Sequence, residues 1–97
     1  RASGSPPAFV YMFIEALADG AVRCGLPRKQ AYIFASQAVK GAASMVLETG
    51  EHPGALKDKV CSPAGTTIEG VAALEEYGMR SAVLKASEAV LNKCREM

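Results

Sequence analysis

Length, composition and charge restrict the class of protein first. The chain has 97 residues, of which 49% are hydrophobic and 22% charged, so it is too apolar for a disordered protein and suits one domain, residues 1–97. Its formal net charge is +1, with Lys and Arg scattered among Asp and Glu. That pattern argues against nucleic-acid and membrane partners.

The cysteines and the first residues suggest the setting of the chain. Cys24, Cys61 and Cys94 are widely spaced without a CxxC pair, and only His52 could join them as a nitrogen ligand. We therefore expect free thiols, a reducing cytoplasmic location and no metal site. The chain opens at Arg1 without a secretory leader, so we expect a piece of a longer polypeptide.

Two long helices are predicted in the first half of the chain. Residues 3–7 hold the Ser and Pro residues that open helices, with a Ser oxygen as the expected N-cap. The first helix should cover about residues 6–24 and the second about residues 27–49, ending at Gly25 and Gly50. The short connection predicts an antiparallel hairpin of long helices.

The composition of these helices predicts close packing, partly between chains. Residues 8–14 are apolar on every side of the first helix, so the segment has to be covered all round. Gly20 and Gly41 lie inside the helices, where a glycine costs about 1 kcal/mol unless close packing of backbones compensates. We expect tight contact between helices at these positions, partly between two chains.

Shorter helices are predicted in the second half. Residues 51–54 form a turn sequence, and residues 55–60 suffice for one or two helical turns. Thr66 and Thr67 should open a helix that covers residues 68–77 and ends at Gly78, and a last helix should fill residues 79–97. No segment alternates with period two, so the predicted fold class is all-α, without a sheet.

The segment VCSPAGTT, Val60 to Thr67, carries most of the functional information. Pro63 and Gly65 shape a tight loop before a new helix. The free N–H groups of a first helical turn, the helix dipole and a hydroxyl can together bind a carboxylate or phosphate without a charged side chain. The alternative is that Ser62 or Thr66 merely caps the helix, and spacing alone favours that alternative because the lysine of a P-loop is absent.

Other candidate residues point to structural roles. His52 is interpreted as a loop residue rather than a general base, and Cys61 as a small partly buried thiol rather than a nucleophile. The chain has no GxGxxG, HExxH or GxSxG motif. We expect no self-sufficient catalytic set within these residues.

Two long strings resemble one family. HPGALKDKVCSPAGTTIEGVAALEEYGMR, His52 to Arg80, is similar to the pattern HPGxLKDxVxSPGGTTIxGxxxLExxGxR of the C-terminal domain of pyrroline-5-carboxylate reductases. SGSPPAFVYMFIEALADGAVRCGLPRKQA, Ser3 to Ala31, resembles that family's SGSGPAYxxxxIEALADGGVxxGLPRxxA. Together the strings cover almost the whole chain.

The resemblance implies a function and a fold. Members reduce 1-pyrroline-5-carboxylate to L-proline with NADPH or NADH, the last step of proline biosynthesis. They join an N-terminal Rossmann domain, absent from this chain, to a helical domain that interleaves with that of a second subunit. The expected assembly is a homodimer, which in some members associates further into a decamer.

The resemblance also implies roles for individual residues. The loop matching Ser62 to Thr67 binds the substrate carboxylate, through Ser62 and through the amides of Gly65, Thr66 and Thr67. Thr67 is also expected near the ring nitrogen, as the catalytic residue. Val60 should border the substrate, and Lys59 should lie beside the cofactor.

The sequence departs from the family's pattern at two positions. Pro6 stands where the family usually has Gly, and Ala64 replaces the first Gly of SPGG, which carries a cost if that residue needs a positive φ.

One alternative function is a non-catalytic helical assembly module with a vestigial anion-binding loop. Another is a related oxidoreductase that acts on a different imino acid. The choice between NADPH and NADH stays open, as does assembly beyond a dimer.

Overall fold

Helices account for all regular secondary structure in residues 4–96, which a computed structural model of the chain describes. The helices are α1 (Ser5–Arg23), α2 (Arg28–Thr49), α3 (Pro53–Val60), α4 (Thr66–Glu76) and α5 (Met79–Glu96). The all-α prediction is confirmed. Contacts group the chain into two compact units, which divide after Gly50.

Glycines end the helices as predicted. Gly50 follows α2 with φ of +69° and donates its N–H to the carbonyl of Val46, and Gly78 follows α4 with φ of +74°. Residues with a Cβ rarely adopt such angles, so glycine at these positions stops a helix at low energetic cost. This explains why the ends of α2 and α4 were predictable to within about a residue.

The predicted serine cap of α1 is not found. Gly4 occupies the N-cap position without a side-chain hydrogen bond, and Ser5 is already the first helical residue. Ser3, the other candidate cap, lies outside the described residues. Pro6 falls in the first turn, where its missing N–H breaks no helical hydrogen bond, so its substitution for the family's glycine fits the helix.

In the unit that ends at Gly50, α1 and α2 form the predicted antiparallel hairpin. Its core contains the buried residues Ala18, Ala31 and Ala35, and half-buried Ile14 and Leu17 pack against them. Alanines at the contact allow two helix backbones to approach closely. The core is small, however, because these side chains offer little apolar area.

An ion pair and an aromatic contact hold the turn of the hairpin. Arg28, at the start of α2, donates from its guanidinium to the Asp19 carboxylate of α1, which raises the pKa of Arg28. The same guanidinium lies 5.7 Å from the centre of the Tyr32 ring. All three side chains are exposed, so the contacts orient the turn more than they stabilise the fold.

The apolar segment of α1 remains largely uncovered within the chain. Tyr11 is 70% exposed and Met12 is 69% exposed. Gly20 and Gly41 face open space, since a Cβ built at either position meets no atom within 4 Å. Close packing was predicted at these two glycines, but no described residue of the chain packs against them.

In the unit that begins at Glu51, three helices follow one another. α4 and α5 pack together across the Gly78 turn. Arg80 of α5 donates its Nε to both carboxylate oxygens of Glu75 in α4, at 3.0 and 3.2 Å. α3 begins at Pro53, two residues earlier than predicted, because His52 caps it. None of the helices in residues 4–96 combines the length and apolar character that crossing a membrane requires.

Candidate functional site: the uncapped start of helix α4

A tight turn connects α3 to α4. The N–H of Gly65 donates to the carbonyl of Ser62 over 3.1 Å, with Pro63 and Ala64 between them. Pro at the second position and a positive φ of 58° at the third are the features of a type II β-turn. The predicted reversal of the chain after Pro63 is therefore present.

Ala64 adopts a positive φ, the angle that was in doubt because alanine replaces the family's glycine here. It is the only non-glycine residue with positive φ in residues 4–96. The third position of a type II turn favours glycine, and a Cβ there costs on the order of 1 kcal/mol. The departure from SPGG thus leaves the turn in place but adds strain.

The first turn of α4 presents unsatisfied amide groups. Gly65 is the N-cap residue, and no side chain caps the helix. The alternative that Ser62 or Thr66 serves as the cap is therefore not realised. Thr66 and Thr67 form the exposed start of the helix, where N–H groups lack helical acceptors and the dipole is positive. Glu69 follows in the same turn without capping it.

The geometry of Gly65 changes one part of the prediction. Its amide is already engaged by the Ser62 carbonyl, so the open donors are those of Thr66, Thr67 and Ile68. A Cβ built on Gly65 would lie 2.6 Å from the Ser62 hydroxyl oxygen. Glycine at this position therefore makes room for the Ser62 hydroxyl beside the helix start.

Lys59 and Val60 lie at the end of α3, directly before this turn. Lys59 Nζ donates to the Glu51 carboxylate over 2.6 Å, and its side chain is 64% exposed. Val60 is 66% exposed. Cys61, the C-cap of α3, is a half-buried free thiol, and Cys24 and Cys94 are also unpaired. An exposed cation and an exposed apolar side chain thus come directly before the turn that leads to the open amides.

His52 has a role that the sequence analysis missed. Its Nδ1 accepts the N–H of Gly54 over 2.9 Å and so caps α3. The available signal was Pro53 at the first helical position, preceded by a side chain with an acceptor. Histidine is a rarer cap than Ser or Asp, and Pro-Gly suggests a turn, so the signal was weak.

A cavity of about 650 Å³ lies against each unit. The cavity against α1 and α2 is almost entirely apolar and includes Gly20, Cys24 and Phe34. The cavity among α3, α4 and α5, about 640 Å³, has apolar walls such as Leu74 and Val83, with charged Lys57 at its edge. Among residues 4–96, no three His, Cys, Asp or Glu side chains gather as metal ligands would.

Comparison with known families agrees with this architecture. The family described as pyrroline-5-carboxylate reductase dimerisation matches residues 1–97. The chain belongs to this family. A pyrroline-5-carboxylate reductase of Escherichia coli is 67% identical over 94 residues, which cover 97% of the chain and 34% of that protein. One from Glycine max is 56% identical over 95 residues, 98% of the chain and 35% of that protein.

Solved structures give the same result. A pyrroline carboxylate reductase of Plasmodium falciparum, crystallised with NADP bound, has a TM-score of 0.89 and 38% identity. The match covers 94% of this chain and 35% of that one. The reductase of Streptococcus pyogenes has a TM-score of 0.92 and 36% identity, over 96% of this chain and 36% of that one. The chain thus spans about a third of the length of these relatives.

Proposed function

We propose that this chain is the substrate-binding and dimerisation part of a pyrroline-5-carboxylate reductase, which reduces 1-pyrroline-5-carboxylate to L-proline in proline biosynthesis. One observation carries the proposal: α4 begins with no side-chain cap, directly after a tight turn, in a chain of this family. The substrate and product are both small carboxylates. An uncapped helix start suits such an anion.

The open amides of Thr66 and Thr67 bind the substrate carboxylate. The Ser62 hydroxyl, next to Gly65, adds a donor, and the helix dipole favours the negative charge. Val60 covers the apolar ring. This arrangement mainly orients the substrate, which lowers the entropic part of the barrier.

The Thr67 hydroxyl oxygen accepts a hydrogen bond from the protonated ring nitrogen as the imine becomes an amine. The ring binds already protonated at nitrogen, so no strong acid side chain is required. NADPH or NADH, when bound, supplies the hydride that adds to the imine carbon. Lys59, cationic and exposed, fits the phosphate groups of such a cofactor, most of whose contacts belong to a dinucleotide-binding domain.

The protein acts as a homodimer whose long helices interleave. Support comes from the exposed apolar segment of α1, from the open space at Gly20 and Gly41, and from the family's description as a dimerisation domain. Dimers can associate further, up to a decamer. The cytoplasmic location inferred from the unpaired cysteines also remains a prediction.

Activity is tested with a chimera that joins the N-terminal two thirds of the Escherichia coli reductase to this chain. The chimera should reduce 1-pyrroline-5-carboxylate. Thr67→Ala should lower kcat/KM about tenfold or more, the effect of losing a hydrogen bond to a charged group, whereas Thr67→Ser should keep most activity. A Thr67→Ala chimera with unchanged kcat/KM would remove the catalytic role.

Calorimetry distinguishes the substrate-binding proposal from the alternative of a helical assembly module without a ligand. The substrate-binding proposal predicts that the chain binds L-proline, and a folded dimer indifferent to L-proline would favour the module. Comparison of L-proline with ring-size analogues would detect specificity for a different imino acid.

A further inference from the structure

The cap of helix α3 depends on the protonation state of one side chain. His52 Nδ1 accepts a hydrogen bond from the Gly54 N–H, which requires a ring nitrogen without a proton. A Cβ on Gly54 would lie 3.0 Å from Nδ1 and 3.1 Å from Cε1, so glycine there allows the ring to sit against the helix start. A protonated imidazole has no acceptor, and its charge opposes the positive end of the helix dipole.

Helix α3 has few other contacts to hold it. It is eight residues long and has no buried residue. Isolated helices of this length are unstable in water, so its ends matter more than its length. One end is held by the His52 cap. The Lys59–Glu51 ion pair connects the last turn back to the residue before the cap, and both partners are partly exposed.

The last turn of α3 carries Lys59 and Val60. We propose that His52 is a positioning residue, and that its neutral ring keeps α3 helical so that Lys59 and Val60 stay beside the start of α4. This inference rests on the proposed function, in which those two residues contact cofactor and substrate. Protonation of His52 then loosens α3 and weakens binding in acid.

The charges around the ring are mixed, so the cap itself is the main effect. Lys57 of α3, Glu75 of α4 and Arg80 of α5 line the same cavity as His52, and Glu51 precedes it. Arg80 is paired with Glu75, Lys57 with Asp58, and Glu51 with Lys59. Among the described residues that line this cavity, Glu75 is the one carboxylate, and it is already paired with Arg80.

Hydrogen exchange on the 97-residue chain tests the cap without any assay of activity. When the pH is lowered from 8 to 5, amides of α3 should lose protection about fivefold after correction for intrinsic rates, because a protonated ring cannot accept the Gly54 N–H. His52→Asn, which keeps a capping acceptor but does not titrate, should show constant protection. His52→Ala should show low protection at both pH values.

Kinetics of the chimera test the consequence for the site. From pH 8 to pH 5, the substrate KM of the parent chimera divided by that of His52→Asn should rise about fivefold, because only the parent loses its cap. Ionisation of the substrate affects both proteins equally and cancels in this ratio. His52→Ala should raise KM by a similar factor at pH 8, with kcat changed less than KM.

Two results would overturn the inference. The first is a His52→Asn variant whose α3 protection falls with acid as in the parent. The second is a His52→Ala variant with parental KM at pH 8. An inactive chimera with the expected exchange pattern would instead contradict the proposed function and leave the cap in place.

Discussion

Ala64 shows how one residue sets the energy of the candidate site. The turn needs a residue with positive φ before Gly65, and this chain supplies one that carries a Cβ. Strained residues persist where the surrounding structure holds them, and such positions occur often at binding sites. Pro63 before it and the Gly65 hydrogen bond after it hold the turn closed.

Replacing Ala64 by glycine should therefore stabilise the protein. Ala64→Gly should raise the free energy of unfolding by about 0.5–1 kcal/mol, measured by urea denaturation at fixed protein concentration. Ala72→Gly, the same change at an exposed position inside α4, should lower it by about 1 kcal/mol. Equal destabilisation by both substitutions would show that the Ala64 turn is not strained.

At the scale of elements, glycine made the ends of α2 and α4 predictable. Gly50 and Gly78 impose their angles locally, so no tertiary information was needed. The His52 cap and the engagement of the Gly65 amide were not predictable. Both depend on how a ring or a carbonyl is placed by the folded turn, which residue types alone do not determine.

The same limit applies to pairings between elements. The contact between Asp19 and Arg28 forms only once α1 and α2 lie antiparallel. The helix patterns predicted that hairpin, but several charged residues near the turn could have supplied the pair. The candidate anion-binding loop was easier to locate because its residues are consecutive.

The apolar cavity beside α1 yields a prediction about association. Gly20 lies on the wall of this cavity, where a partner helix is expected. Gly20→Leu should weaken dimerisation at least tenfold in sedimentation experiments, because the added side chain occupies that space. Gly20→Ala, which adds a single methyl group at the same position, should weaken dimerisation less than Gly20→Leu. Parental dimerisation of Gly20→Leu would place the interface elsewhere.

At the scale of the whole molecule, the described residues bury too little to be stable alone. The buried side chains among residues 4–96 are three alanines, while large apolar residues such as Tyr11, Met12 and Leu47 are exposed. Burial of apolar area is the main favourable term in folding. From the family's description as a dimerisation domain, we expect a second copy to cover these surfaces and so to stabilise the hairpin of α1 and α2.

The central claim is that the start of α4 binds a carboxylate. Titration of the isotope-labelled chain with L-proline, followed by the NMR signals of its amides, tests it most directly. The account predicts saturable shifts centred on Thr66 and Thr67, and none with L-prolinamide, which lacks the carboxylate. Binding of L-proline that leaves these two amides unchanged, or equal shifts with L-prolinamide, would contradict it.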